Sequence, residues 1–321
     1  MKFVNPQQLI RFLSRFSLFV RKKNTFLGWK VLLVVFGLNT FLFLSQNITG
    51  MQTNSDCAEV SLSDESRKEL QNKIIYSENG ITVTAENAVL TANNFDKKVF
   101  LTIGLPSSER KSQNYLTRTL DSLLYNVSAA EDFKTKIVIL LADMQSSVRK
   151  QRFHQLLSRY SKYVANGDIH VIKVPKNFYP PLRGLLNTLN DTDNRMYWRS
   201  KQAIDFAFLM HYCKHFSPFY LHLEDDVIAT KDYDVYMTKY VKEKEGKFWF
   251  NLDFSNLGFI GKLYRSETLE NQARFIQLFY SEMPVDLLMN TYRKILGHNL
   301  MDTTYFRNLF VHIGYESTAL S

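Results

Sequence analysis

The longest apolar stretch of the chain runs from Phe26 to Leu44, broken by Lys30 and by Asn39-Thr40. A helix of that length approaches the ~30 Å hydrocarbon core of a bilayer, and Lys30 can snorkel to the nearer interface beside Trp29. Lys2, Arg11, Arg15, Arg21, Lys22 and Lys23 precede it. That bias keeps the N-terminus cytoplasmic and sends the rest of the chain into the lumen. The pattern predicts a cytoplasmic tail over 1–25 and a type II transmembrane anchor over 26–44. A cleaved signal peptide fits less well, because the basic region is long and no compact small-residue cleavage site follows. Residues 45–95 are polar and, apart from the alternating Ile81-Thr82-Val83-Thr84-Ala85, short of periodicity; they read as a stem.

From residue 96 onward the pattern changes. Val99–Gly104 reads as a buried strand, and Asn114–Tyr125 places Tyr115, Leu116, Leu120, Leu123 and Leu124 at helical spacing. A continuous apolar strand over Lys136–Ala142 runs into Asp143. A polar helix over Ser147–Tyr163, a strand over Asp168–Val174, a helix over Trp198–Tyr212 and a strand over Phe219–Leu223 follow. Strands alternating with helices predict an α/β domain over 96–321, built on a doubly wound, mostly parallel sheet with helices on both faces. Such sheets bind ligands at the carboxyl ends of their strands, where Asp143 and Glu224-Asp225-Asp226 fall.

A 321-residue chain with 45% hydrophobic and 14% aromatic residues has the material for one sizeable core. The net charge of +9 sits partly in the leader, and the remaining basic residues are interleaved with acids. No stripe tracks phosphates, which argues against a nucleic-acid partner. Two cysteines, Cys57 and Cys213, exclude a disulfide scaffold and a Cys-based zinc site. Cys213 reads as a buried thiol, and Cys57 as a candidate for pairing between chains. Sequons begin at Asn126 and Asn190 in polar, loop-like surroundings, as lumenal exposure would require. A third, at Asn47, lies close to the bilayer.

The carboxylates of Glu224 and Asp226 suit a hard divalent ion, Mn²⁺ or Mg²⁺, of the kind that neutralises a diphosphate. The alternative is a solvated acidic turn. Its place after a buried strand, with no adjacent Lys or Arg, favours the ion.

Leu223-Glu224-Asp225-Asp226-Val227, with Trp198-Arg199-Ser200-Lys201-Gln202 before it and Phe254-Ser255-Asn256-Leu257-Gly258-Phe259-Ile260-Gly261-Lys262 after it, resembles the N-acetylglucosaminyltransferase IV family. Phe279–Asp286 and Leu309–Gly314 resemble further blocks of that family, and Leu101–Leu105 with Leu141-Ala142-Asp143 resembles its C-type branch. The likeness covers roughly residues 97–317 in the family's order. It implies a Rossmann-like glycosyltransferase A type fold, a Golgi membrane location, and UDP-N-acetylglucosamine as donor. It also implies the mannose core of N-glycans on glycoproteins as β1,4 acceptor. A catalytically silent paralogue that binds sugar nucleotide or another transferase is the alternative. Association with itself or with other Golgi transferases is a further expectation.

The chain ends at Ser321, where family members usually continue into a C-terminal lectin-like domain, so the expectation is either a truncated form or one that works without it. Leu287 stands where a Trp usually follows the Asp of the Pro-x-Asp block, and Asp253 replaces the usual Glu.

A β product from an α-linked donor requires inversion by single displacement, with a base on the acceptor hydroxyl. Asp286, in the first turn of a helix expected over Val285–Ile295, is the first candidate by resemblance, although an Asp there can also be a plain cap. Asp253 competes for the role, or orients substrate. His312 is a candidate metal or diphosphate ligand beside Glu224 and Asp226. Arg199 and Lys201, opening a helix, are candidates for the diphosphate. Asp143 is a candidate for uracil or ribose, and Asp225 for the donor.

Overall fold

A computed structural model describes residues 73–78, 80–91, 99–110, 113–128, 133–298 and 303–315. The anchor expected over 26–44, the tail before it and Cys57 lie outside the described residues. Among the described residues no helix is long and apolar enough to cross a membrane.

The described elements begin with β1 (Ile74–Glu78), β2 (Ile81–Thr84), the single turn α1 (Ala85–Ala88), β3 (Leu101–Ser107) and α2 (Tyr115–Tyr125). Then come β4 (Thr135–Leu141), α3 (Ser146–Ala165), β5 (Ile169–Ile172), α4 (Asp193–Cys213) and β6 (Phe219–His222). The remainder are β7 (Val227–Ala229), α5 (Tyr233–Glu243), β8 (Leu252–Asp253), β9 (Lys262–Arg265), α6 (Leu269–Phe279), α7 (Val285–Ile295) and β10 (Phe310–His312). A six-stranded sheet has the order β5-β4-β3-β6-β9-β8. Strands β5, β4, β3 and β6 are parallel, and β9 runs antiparallel between β6 and β8. The α/β architecture with a mostly parallel sheet is the one the pattern predicts.

Side-chain alternation along buried strands explains the continuous apolar runs. Ile137, Ile139 and Leu141 of β4 join one core with Leu101, Ile103 and Leu105 of β3 and with apolar residues of α2, α3 and α5. Val138 and Leu140 face the opposite core with α4, α6 and α7. A strand covered on both faces has no polar side, so its text is uninterrupted.

Most boundaries shift by a residue or two from expectation, and three differences have a clear physical cause. β3 continues past Gly104 to Ser107. A Cβ at Gly104 would lie 2.3 Å from the Tyr220 hydroxyl of β6, so the glycine admits a neighbouring ring instead of marking a turn. β6 pairs with β3 only as far as Gly104, and Leu223 N–H donates to the Gly104 carbonyl. Pro106 therefore faces an edge that β6 has left, where a missing N–H costs no ladder bond.

Helix α4 begins at Asp193, five residues before Trp198, because Thr192 caps it by accepting from Arg195 N–H at 3.3 Å. The expected stem is partly folded into the domain: Val83, Ala85 and Ala88 are fully buried, Val89 bridges Ile172, and Lys173 N–H donates to the Ala88 carbonyl. Their partners lie on β5 and α4, out of reach of a local pattern. Cys213 is buried and free, and burial pushes its thiol up.

Candidate functional site

Strands β3, β4 and β6 deliver Ser107, Asp143 and the acidic triplet to one edge of the sheet. Asp225 is the most engaged of the three acids. Ser107 Oγ donates to its Oδ2 at 2.5 Å, Arg110 Nη2 to its Oδ1 at 2.8 Å, and Thr119 Oγ1 of α2 to its carbonyl at 2.7 Å. Arg110 Nη2 also lies 3.0 Å from Asp226 Oδ2. The triplet therefore has a basic partner, contrary to the expectation of unpaired acids; Arg110 arrives from the loop after β3 rather than from the neighbouring sequence.

His312 reaches the triplet through the small antiparallel pair of β7 and β10, which sets His312 opposite Val227. Ile313 N–H donates to the Asp226 carbonyl at 2.8 Å, and His312 Nε2 lies 3.3 Å from Asp226 Oδ2. Gly314 is required by this approach, because a Cβ there would meet Asp226 Oδ2 at 2.1 Å. Asp226 Oδ1 is buried with no hydrogen-bond partner.

Asp286 lies in the first turn of α7, whose limits match the expected Val285–Ile295. It joins the triplet electrostatically. Glu224 is pushed up to about 8 by burial first, then by Asp226 and Asp225 and least by Asp286, against the pull of Arg110. Burial also raises Asp225 to about 6 despite Arg110 and Ser107. Such crowding of carboxylates holds the charged forms at a cost that an added cation would relieve.

The other expected residues are committed to the fold. Asp143 Oδ2 accepts from Arg152 at 2.6 Å and its Oδ1 from Glu109 N–H at 2.8 Å, so both its oxygens are already engaged by protein donors. Arg199 does not open its helix: it is buried in the second turn of α4, paired through Nε with Asp191 at 2.7 Å. Lys201 Nζ bonds the Ala142 carbonyl and Asp205 Oδ2, each at 2.6 Å, and so fastens the end of β4. Asp253 is buried in the two-residue strand β8, with Lys262 Nζ at 2.9 Å, Asn251 Nδ2 at 2.6 Å and Arg293 Nη1 at 3.9 Å.

Beside Asp225 opens a cavity of about 230 Å³ lined by Arg110, Gln113, Asn114, Tyr115 and Arg152 among others. Sequence reasoning missed Arg110, Tyr115 and Arg152. The available signal was position, since Arg110 follows the carboxyl end of a parallel strand. Among the described residues no three His, Cys, Asp or Glu side chains form a ready metal cage, so Glu224, Asp226 and His312 are not one. The orphaned Asp226 Oδ1 and the crowded Glu224 still fit a cation held by one or two carboxylates and completed by substrate phosphates.

A family-wide sequence pattern described as "MGAT4 conserved region" matches residues 64–318. The chain is 37% identical over 237 residues to the alpha-1,3-mannosyl-glycoprotein 4-beta-N-acetylglucosaminyltransferase C of Sus scrofa, covering 74% of this chain and 49% of that one. It is 38% identical to the alpha-1,6-mannosyl-glycoprotein 4-beta-N-acetylglucosaminyltransferase of Gallus gallus, over 72% of this chain and 49% of the other. A third relative, the alpha-1,3-mannosyl-glycoprotein 4-beta-N-acetylglucosaminyltransferase-like protein MGAT4D of Rattus norvegicus, is 35% identical over 60% of this chain and 51% of its own. The chain thus spans about half the length of the curated relatives it matches.

Proposed function

The chain belongs to the family of the MGAT4 conserved region, and from that premise we propose that it is an inverting N-acetylglucosaminyltransferase of the Golgi membrane. Its donor is UDP-N-acetylglucosamine and its acceptor a mannose of the N-glycan core, joined in β1,4 linkage on a glycosyltransferase A type domain. The observation that carries the reading is the carboxylate cluster after β6, where Asp286 of α7 adds to the repulsion by Asp226 and Asp225 that, with burial, raises Glu224.

The donor's nucleotide lies along the edge formed by Arg110, Tyr115 and Arg152. A divalent cation, Mn²⁺ or Mg²⁺, when held by Asp226 with Glu224 or His312, neutralises the diphosphate leaving group. Asp286 takes the proton of the acceptor hydroxyl as its oxygen bonds to the sugar's C1 and the bond from C1 to the diphosphate breaks, releasing UDP. Asp253 holds β9 and α7 together through Lys262 and Arg293 and so positions the helix that carries the base.

Incubating the protein with labelled UDP-N-acetylglucosamine, Mn²⁺ and a biantennary glycan tests the reading; labelled glycan is expected. A second reading, a binder without turnover, is favoured by Leu287, 44% exposed beside Asp286, where the family resemblance implies Trp. Donor binding without product on any N-glycan would select it.

A further inference from the structure

Resting on the reading of this edge as a donor site, we propose that Arg110 is a displaceable counter-ion, which occupies Asp225 and Asp226 until a divalent cation replaces it and then turns to the donor's diphosphate. One guanidinium nitrogen, Nη2, serves two carboxylates, at 2.8 Å and 3.0 Å. The other two, Nε and Nη1, are buried and have no partner, although the side chain is only 10% exposed. Arg152, on the same cavity, differs: its nitrogens are spent on Asp143, the Ser107 carbonyl and Ser107 Oγ. Arg110 also lies 4.8 Å from the centroid of the Tyr115 ring, a face over which it can turn without losing its apolar support.

Unpaired buried donors are costly, and a planar guanidinium fork matches phosphate oxygens in pairs. Swinging toward a diphosphate in the adjoining cavity satisfies Nε and Nη1. It also frees Asp226 Oδ2, next to the orphaned Oδ1, for the cation. Arginine and cation therefore compete for the same oxygen, and the diphosphate favours the exchange. By linkage, nucleotide tightens the cation and the cation tightens nucleotide by the same factor.

The test measures Mn²⁺ affinity of the full chain by electron paramagnetic resonance of free Mn²⁺, with and without UDP. Removing the competitor in Arg110→Met should tighten Mn²⁺ binding without UDP by about tenfold, within the usual range of coupling between sites. The gain that UDP confers on Mn²⁺ should shrink by a similar factor. Arg110→Gln, with a melting curve for each variant, gives the same readout if Arg110→Met does not fold. An Mn²⁺ affinity that stays the same or falls in the folded variant makes Arg110 a static clamp and overturns the proposal alone. Wild-type protein that binds no Mn²⁺ even with UDP overturns the donor reading along with it.

Discussion

Asp286→Asn separates chemistry from folding more cleanly than any other change at this site. The substitution keeps shape and deletes a proton acceptor, and general-base catalysis contributes about 10²–10⁴ in rate. Among the described residues the Asp286 carboxylate makes no hydrogen bond or ion pair. What folding loses is the favourable placement of an anion in a first helical turn, about 0.3–1 kcal/mol. In a domain of this size that lowers Tm by roughly 1–4 °C. Asp253→Asn should behave in the opposite way. It strips a buried carboxylate from Lys262 at 2.9 Å, with Arg293 at 3.9 Å beyond it. Leaving such charges uncompensated costs about 3–5 kcal/mol, or roughly 6–20 °C. Steady-state transfer to a biantennary glycan, run beside melting curves, reads both quantities. Asp286→Asn with kcat within tenfold of wild type would refute the base assignment. An Asp253→Asn protein of normal Tm and greatly reduced kcat would move the role to Asp253.

Three further outcomes follow from the geometry. Gly314→Ala drives a methyl toward Asp226 Oδ2, so Mn²⁺-dependent UDP binding should fall at least tenfold in calorimetry; unchanged affinity would mean that Asp226 is not a ligand. Asn190 is exposed in a loop, whereas Asn126 Nδ2 donates to the Ala229 carbonyl and Ser128 bonds Asp234. Glycosidase should therefore shift the wild-type protein and Asn126→Gln but not Asn190→Gln, and a shift that persists in Asn190→Gln contradicts this. His211 is lowered to about 4 by burial, with Nε2 2.8 Å from Gln277 Oε1. The unfolded chain binds its proton first, so this residue's contribution is lost as pH falls from about 6.5 toward 4. His211→Gln should lose less stability than wild type between pH 7 and 5, by about 2 kcal/mol in urea titrations, and equal losses would show that the ring is charged in the fold.

Much of this arrangement is written locally. β4 and α7 are legible because an uninterrupted apolar run and a Pro-led amphipathic turn each need only their own residues. The acidic triplet is legible as a site because parallel strands end on one edge. Its partners are not. Arg110 is 115 residues from Asp225, and nothing near Arg110 in the chain shows that the loop after β3 folds back over β6. His312 could be suspected from its block, but its closeness to Asp226 depends on a three-residue pairing of β7 with β10 that periodicity cannot detect. Arg199 and Lys201 look like exposed first-turn cations only if Thr192 is overlooked as the cap; with it, both fall inside the helix and bind their own chain. Residues 73–78 and 80–91 are less legible for a related reason, since their few apolar residues join a core with β5 and α4.

The central claim is a single inverting displacement onto mannose, and the most direct measurement is the structure of the product. Wild-type chain, UDP-N-acetylglucosamine, Mn²⁺ and a biantennary N-glycan should be incubated together and the purified glycan assigned by NMR. The account predicts one added N-acetylglucosamine, β-configured and attached through O4 of a core mannose. An α-configured product, or donor bound with no sugar transferred, would contradict it.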